Sequence, residues 1–218
     1  IVTGSSRTSE DLVNDLRELH ECVFEFPAWE TLPHERLSPR SDTVAQRIST
    51  LIELNKKQTH NPIVVTPVRG LIHRIINSLA QNPVRELTVG AHCDLKELID
   101  HLSELAYQRT DLVERRGEFA VRGGIVDVFL PLAGQPVRID FFGDEIEDIS
   151  YFDVAGQRTT GAVNQSIKIL PCRELLLTPS VQNKARKLIA EFPQASELLE
   201  KLSEGISTEG MELSLIHI

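Results

Sequence analysis

Apolar and polar positions follow two different rhythms along this chain. Between Ile1 and Ala80, short apolar runs alternate with amphipathic stretches of helical period. Ile1-Val2-Thr3 reads as the end of a strand, and Leu12, Leu16 and Leu19 recur at helical spacing behind Thr8 or Ser9 as cap, with Asp11 as capping-box partner. Val23 to Phe26 predicts a second strand. Three prolines between Pro27 and Arg40 and the lack of periodicity predict an ordered loop. Ser41 or Asp42 is positioned to cap a helix that buries Val44, Ile48 and Leu51 or Ile52. Ile63-Val64-Val65 has the continuous apolar character of a buried parallel strand. Thr66-Pro67 then opens a helix carrying Val68, Leu71, Ile72, Ile75 and Leu79. Repeated strand–helix alternation predicts a parallel α/β layer.

The rhythm changes after Gln81-Asn82-Pro83. A strand over Val84 to Val89 precedes a helix capped by Asp94, with Leu95, Leu98, Ile99, Leu102 and Leu105 buried. Four strands without intervening helices follow: Glu118 to Val121, Ile125 to Leu130, Val137 to Phe142 and Glu145 to Phe152. Gly123-Gly124 shifts the alternation as a bulge or bend would, while Gly134-Gln135 and Gly143-Asp144 suit hairpin turns. This is the pattern of an antiparallel α+β module. Beyond Gly161 a strand (Ser166 to Leu170), a connector and two helices (Val181 to Phe192, Ala195 to Leu202) are expected, and Leu213 to Ile218 follow no periodic logic. The fold class is therefore α/β: a parallel layer with an inserted antiparallel α+β domain.

Composition narrows the function. Lys and Arg number 23 against 32 Asp and Glu, a net charge of −9, so a duplex-DNA clamp built on bulk phosphate neutralisation is disfavoured. No apolar run reaches the roughly 18 to 20 residues of a membrane span, so no membrane partner is expected. The three cysteines, Cys22, Cys93 and Cys172, lie far apart with no CxxC, which suits reduced thiols and a cytoplasmic setting. No signal-peptide pattern is present, and the opening on a strand-like segment suggests a piece of a longer protein.

Catalytic patterns are sparse. There is no GK[ST] of a P-loop, and Gly4-Ser5-Ser6-Arg7-Thr8 reads as a turn before a capped helix. Asp144-Glu145 follows an apolar strand as an ATPase acid pair would, but Gly143 breaks that strand first, so Gly143-Asp144 is read as a turn with Glu145 and Glu147 facing water. No HExxH, Cys/His cluster or GxSxG occurs, and adjacent His92 and Cys93 point apart on a strand. Neither a catalytic residue nor a metal or cofactor site is expected in this chain.

The stretch from Tyr107 to Phe129 carries more information. Arg109, Arg115, Arg116 and Arg122 cluster here in an otherwise acidic chain, and guanidinium groups suit bidentate recognition of carboxylates. Arg115 and Arg116 are expected to pair with Asp111, Glu114 or Glu118 on a wet surface. Arg122, between Val121 and Gly123-Gly124, is expected on an unobstructed strand face suited to protein docking. Phe129 reads either as an apolar anchor beside these arginines or as a strand core position. Trp29, the single tryptophan, is expected to pack the proline-bounded loop onto the α/β layer.

Two blocks then resemble a known family. Trp29-Glu30-Thr31-Leu32-Pro33 to Ser38-Pro39, with Asp42 to Arg47, is similar to a signature of bacterial transcription-repair coupling factors. Gly117 to Phe129 and Arg138 to Glu147, extended by Phe152-Asp153 and Gln157-Arg158, resemble the segment those factors share with UvrB, the excision-repair helicase subunit. Only Tyr107 and Tyr151 are tyrosines, so the tyrosine-rich DNA-gripping hairpin of UvrB has no counterpart. The resemblance is thus to the N-terminal, UvrB-like module of the coupling factors, with a UvrB fragment lacking its P-loop as the alternative. It implies a first, degenerate P-loop-like α/β layer over residues 1–82, a UvrA-binding insertion over 83–160 and a return to the layer over 161–218. It also implies a non-catalytic module that recruits UvrA, the damage-recognition ATPase, to stalled RNA polymerase. ATP, Mg²⁺, RNA polymerase and DNA would be handled by motor and polymerase-binding domains elsewhere in the family's longer chain. Arg109 and Arg122 align with the partner-contacting arginines of the UvrB-like surface, and Phe129 lies beside them. A further UvrB arginine, two positions before Arg122, is Ala120 here.

Overall fold

The computed structural model describes residues 1–32, 35, 37–57, 60–73, 75, 84–206 and 210. Three short strands form a parallel sheet in the order β1 (Val2–Thr3), β3 (Ile63–Pro67), β2 (Val23–Glu25). Helix α1 (Ser6–Arg17) lies between the first two in sequence. Its cap is Ser5, whose Oγ accepts from the Thr8 amide at 3.2 Å, because Ser9 turns inward to share a 2.5 Å hydrogen bond with Thr3. Val13 fills the core against Val23 and Val65, and Leu19 is exposed beyond the helix end. Helix α2 (Ser41–Asn55) buries Val44 and Ile48 as their spacing predicts, with Ala45 buried beside them and Leu51 and Ile52 half-buried, but starts at Arg40 without a side-chain cap. Ser41 Oγ is instead committed to the Arg116 carbonyl at 3.2 Å.

Helix α3 departs from expectation. β3 runs on through Pro67, so α3 spans only Val68–Ile72, and Val68, Leu71, Ile72 and Ile75 are all exposed. Leu79 lies outside the described residues.

The second module is a six-stranded sheet in the order β10-β9-β8-β7-β6-β5. Its strands are β5 (Gln108–Arg109), β6 (Glu118–Arg122), β7 (Ile125–Val128), β8 (Val137–Phe142), β9 (Glu145–Phe152) and β10 (Thr159–Ala162). All pairs are antiparallel except β5 with β6. Arg122 pairs directly with Ile125, so Gly123-Gly124 is a two-residue hairpin turn rather than a bulge, and Gly123 takes φ +61 there. One sheet face carries Phe119, Val126, Val128, Ile139 and Ile149 against α4 (Leu95–Glu104). That helix is set by Asp94, which accepts from the Glu97 amide at 2.8 Å, and it buries Leu98 and Leu102 completely.

β4 (Arg85–Leu87) and β11 (Ile167–Ile169) form a separate antiparallel pair. Leu170, just past β11, packs on α2, so the returning chain ties the modules together. Helices α5 (Pro179–Leu188) and α6 (Ser196–Ser203) pack on one another through Ala185, Leu199 and Leu202. The architecture is α/β with mixed parallel and antiparallel sheets.

A buried ion pair locks the return. Arg47 of α2 donates through Nε to Glu174 at 2.5 Å, and the same carboxylate oxygen accepts from Trp29 Nε1 at 2.9 Å. Arg47 also reaches the Pro27 carbonyl at 2.8 Å and stacks its guanidinium over Phe26. Trp29 packs the loop onto the layer, its ring stacked on His73 at 4.6 Å.

Candidate protein-docking face

Side chains alternate across a strand, so the residues opposite the α4 core share the outer face of the sheet. Ala120 and Arg122 of β6, Asp127 of β7, Arg138 and Asp140 of β8 and Phe152 of β9 all lie there by register. Asp127 is the centre of this face. Only 1% of its side chain is exposed, and it accepts from Arg138 through Nε at 2.7 Å and Nη2 at 2.9 Å. Arg122 adds a third bond, Nη2 to Oδ2, at 2.6 Å. The hydrogen bonds to Asp127 push the Arg138 pKa up, and its guanidinium covers the Phe152 ring at 5.0 Å.

Arg122 is therefore paired rather than unobstructed, yet 47% of its side chain remains open to solvent. Arg109 is exposed on β5, an edge strand, and among the described residues it has no hydrogen-bond or ion-pair partner. Register pairs Arg109 with Phe119, so it leaves the sheet on the α4 side while Arg122 leaves on the outer side. The two arginines flank the β5–β6 edge and do not share a face.

Phe129 is a core residue instead of an exposed anchor. It packs with Val113, Ala120 and Phe152 under the loop that follows β5, and Arg116 covers its ring at 5.5 Å. Ala120 is buried in the same cluster. Arg116 donates to the Ala133 carbonyl at 3.1 Å and approaches Asp42 at 3.8 Å. Arg116 and Arg115 do not pair with Asp111, Glu114 or Glu118, because the Glu118 carboxylate accepts from the Glu114 and Arg115 amides at 2.8 and 2.9 Å. A cleft of about 560 Å³ opens between this loop and the start of α2, lined by Arg40, Asp42, Arg115, Arg116, Glu118 and Arg173. It brings four guanidinium groups together with the carboxylates of Asp42, Glu114 and Glu118.

Sequence reasoning did not single out Asp127 or Arg138 as partners of Arg122. The signal available was alternation: Arg122, Asp127 and Arg138 all occupy outward positions of consecutive paired strands. Among the described residues no group of three or more His, Cys, Asp or Glu side chains is placed to hold a metal ion. No described helix is long and apolar enough to cross a membrane.

The family model of the UvrB interaction domain matches residues 86–175, the span that holds the whole six-stranded sheet and α4. The full chain is 43% identical to the transcription-repair-coupling factor of Mycobacterium bovis, over 99% of this chain and 19% of that protein. Identity is 38% to the factor of Myxococcus xanthus, over 87% and 16%, and 34% to that of Escherichia coli, over 75% and 15%. The chain carries a UvrB interaction domain and is homologous to transcription-repair-coupling factors. It spans about a fifth or less of the length of these relatives. The Asp127-centred arginines, the β5 edge and the Phe129 cluster all lie within the UvrB interaction domain.

Proposed function

We propose that this chain docks UvrA through its UvrB interaction domain, as a non-catalytic recruiting module in transcription-coupled nucleotide excision repair. The match of residues 86–175 to that domain carries the reading. The outer arginine face supports it physically. Arg122 is held by Asp127 in one orientation but keeps half its surface open, so a partner carboxylate meets a guanidinium already positioned. Arg109 extends the charge to the free edge of β5, where a partner that wraps the edge reaches both groups. Contacts with RNA polymerase and DNA, and any ATP-driven motion, belong on this reading to the rest of the longer relatives.

The test is the affinity of purified UvrA for the chain and for its Arg109→Ala and Arg122→Ala variants. Loss of a desolvated interfacial arginine weakens binding by on the order of 2 kcal/mol, about thirtyfold. Equal affinity for all three proteins removes these side chains from the interface, and no binding by the unaltered chain removes the reading.

A further inference from the structure

The largest exposed aromatic surface of the UvrB interaction domain is not Phe129 but Phe142. It ends β8 at the β8–β9 hairpin tip with 78% of its surface in water. Gly143 follows at φ +62, a conformation that closes the turn directly behind the ring. Arg122 pairs with Ile125, Ile125 with Asp140, and Phe142 stands two residues beyond Asp140, so Phe142 and Arg122 share the outer face at the same end of the sheet. Val89, also exposed, stands across a shallow hollow of about 240 Å³ that Phe142, Glu145 and Glu147 help to line.

Exposed carboxylates crowd the hairpin behind this ring. Asp144, Glu145, Glu147 and Asp148 are all exposed, and none has an ion-pair partner among the described residues. Asp140, on the same strand, has its pKa raised by burial and by neighbouring Asp148, Asp127 and Glu147, with Arg138 opposing. A bare aromatic ring inside a ring of unneutralised carboxylates repels nucleic acid and suits a protein surface of opposite charge.

We infer that the β8–β9 hairpin tip is a second contact of the docking face: Phe142 enters an apolar socket on UvrA rimmed by lysines or arginines, while Arg122 engages a carboxylate nearby. This rests on the UvrA reading above and assigns that partner a surface of alternating sign.

The experiment compares UvrA binding by the unaltered chain, Phe142→Ser and the pair Glu145→Lys with Glu147→Lys, with melting temperature and sedimentation of each chain alone. Phe142→Ser is expected to weaken binding at least tenfold with melting unchanged, because the ring touches little of its own fold. The lysine pair is expected to weaken binding comparably and to flatten its dependence on salt. Unaltered UvrA affinity in Phe142→Ser overturns the inference while leaving the UvrA reading intact. A change in the sedimentation of Phe142→Ser without a change in UvrA affinity assigns the ring to self-association and also overturns it. Failure of the unaltered chain to bind UvrA overturns both.

Discussion

Truncating Arg122 leaves Asp127 with the bidentate grip of Arg138, so the carboxylate stays satisfied. Arg122→Ala should therefore change stability by no more than about 1 kcal/mol, even where it weakens the proposed partner's binding. Asp127→Ala is a different case. It leaves Arg122 and Arg138 facing one another around an emptied, buried position, and should cost about 3 to 5 kcal/mol in denaturant titration. A similar cost for both variants would mean that Arg122 holds the sheet together and is not poised for a visitor. Ala120 carries a related lesson. The resemblance to UvrB suggests a lost charged contact there, but the side chain is sealed under Val113, Phe129 and Phe152. Ala120→Arg would force a cation into that cluster, and should lower the melting temperature measured by thermal denaturation.

At the scale of elements, the second module was the more readable part of the chain. Alternation over β6 to β9 and the Asp94 cap with Leu98 and Leu102 behind it are local signals, and locality is what a single sequence displays. The first layer was less legible for equally physical reasons. Val68, Leu71, Ile72 and Ile75 have helical spacing, but α3 stops at Ile72 and leaves those side chains uncovered, so the pattern promised a burial that the described residues do not supply. Ser5 displaced Thr8 and Ser9 as the α1 cap because Ser9 is drawn to Thr3 across the layer. At the candidate site the arginines were visible in sequence, while their facing was not. Arg109 parts from Arg122 because β5 joins β6 with Arg109 opposite Phe119, and no local pattern encodes that register. Arg47 and Glu174 stand 127 residues apart, and nothing near either announces the other. Arg47→Ala should destabilise the chain by about 3 to 5 kcal/mol, because it leaves a buried carboxylate with Trp29 alone. Replacing Arg47 by Met and Glu174 by Leu together should recover much of that loss in the same thermal melt.

For the whole molecule, the junction between the modules also fixes its response to alkali. The Cys172 thiol interacts with the Tyr107 hydroxyl, which donates to the Leu170 carbonyl at 2.9 Å, and the Cys172 amide is held by the Leu105 carbonyl at 2.9 Å. Burial pushes the Cys172 thiol up to about 12 from an ordinary 9.0, and likewise raises the Tyr107 hydroxyl well above 10.0. Between those values the unfolded chain holds fewer protons than the folded one, so stability falls as pH rises, by at most about 1.4 kcal/mol per unit for the thiol. Melting temperature should decline from about pH 9 towards about pH 12, and Cys172→Ala should remove part of the slope. A slope identical in that variant would place the titrating group elsewhere. The Glu174 carboxylate has a practical consequence too. It falls inside the 86–175 match, although its cationic and indole partners stand far upstream in α2 and the preceding loop. A cloning boundary drawn from homology would sever those bonds. Expressed apart, the upstream half would retain an orphan cation amid aromatic rings, and should be recovered as insoluble material until the carboxylate-bearing segment is supplied with it.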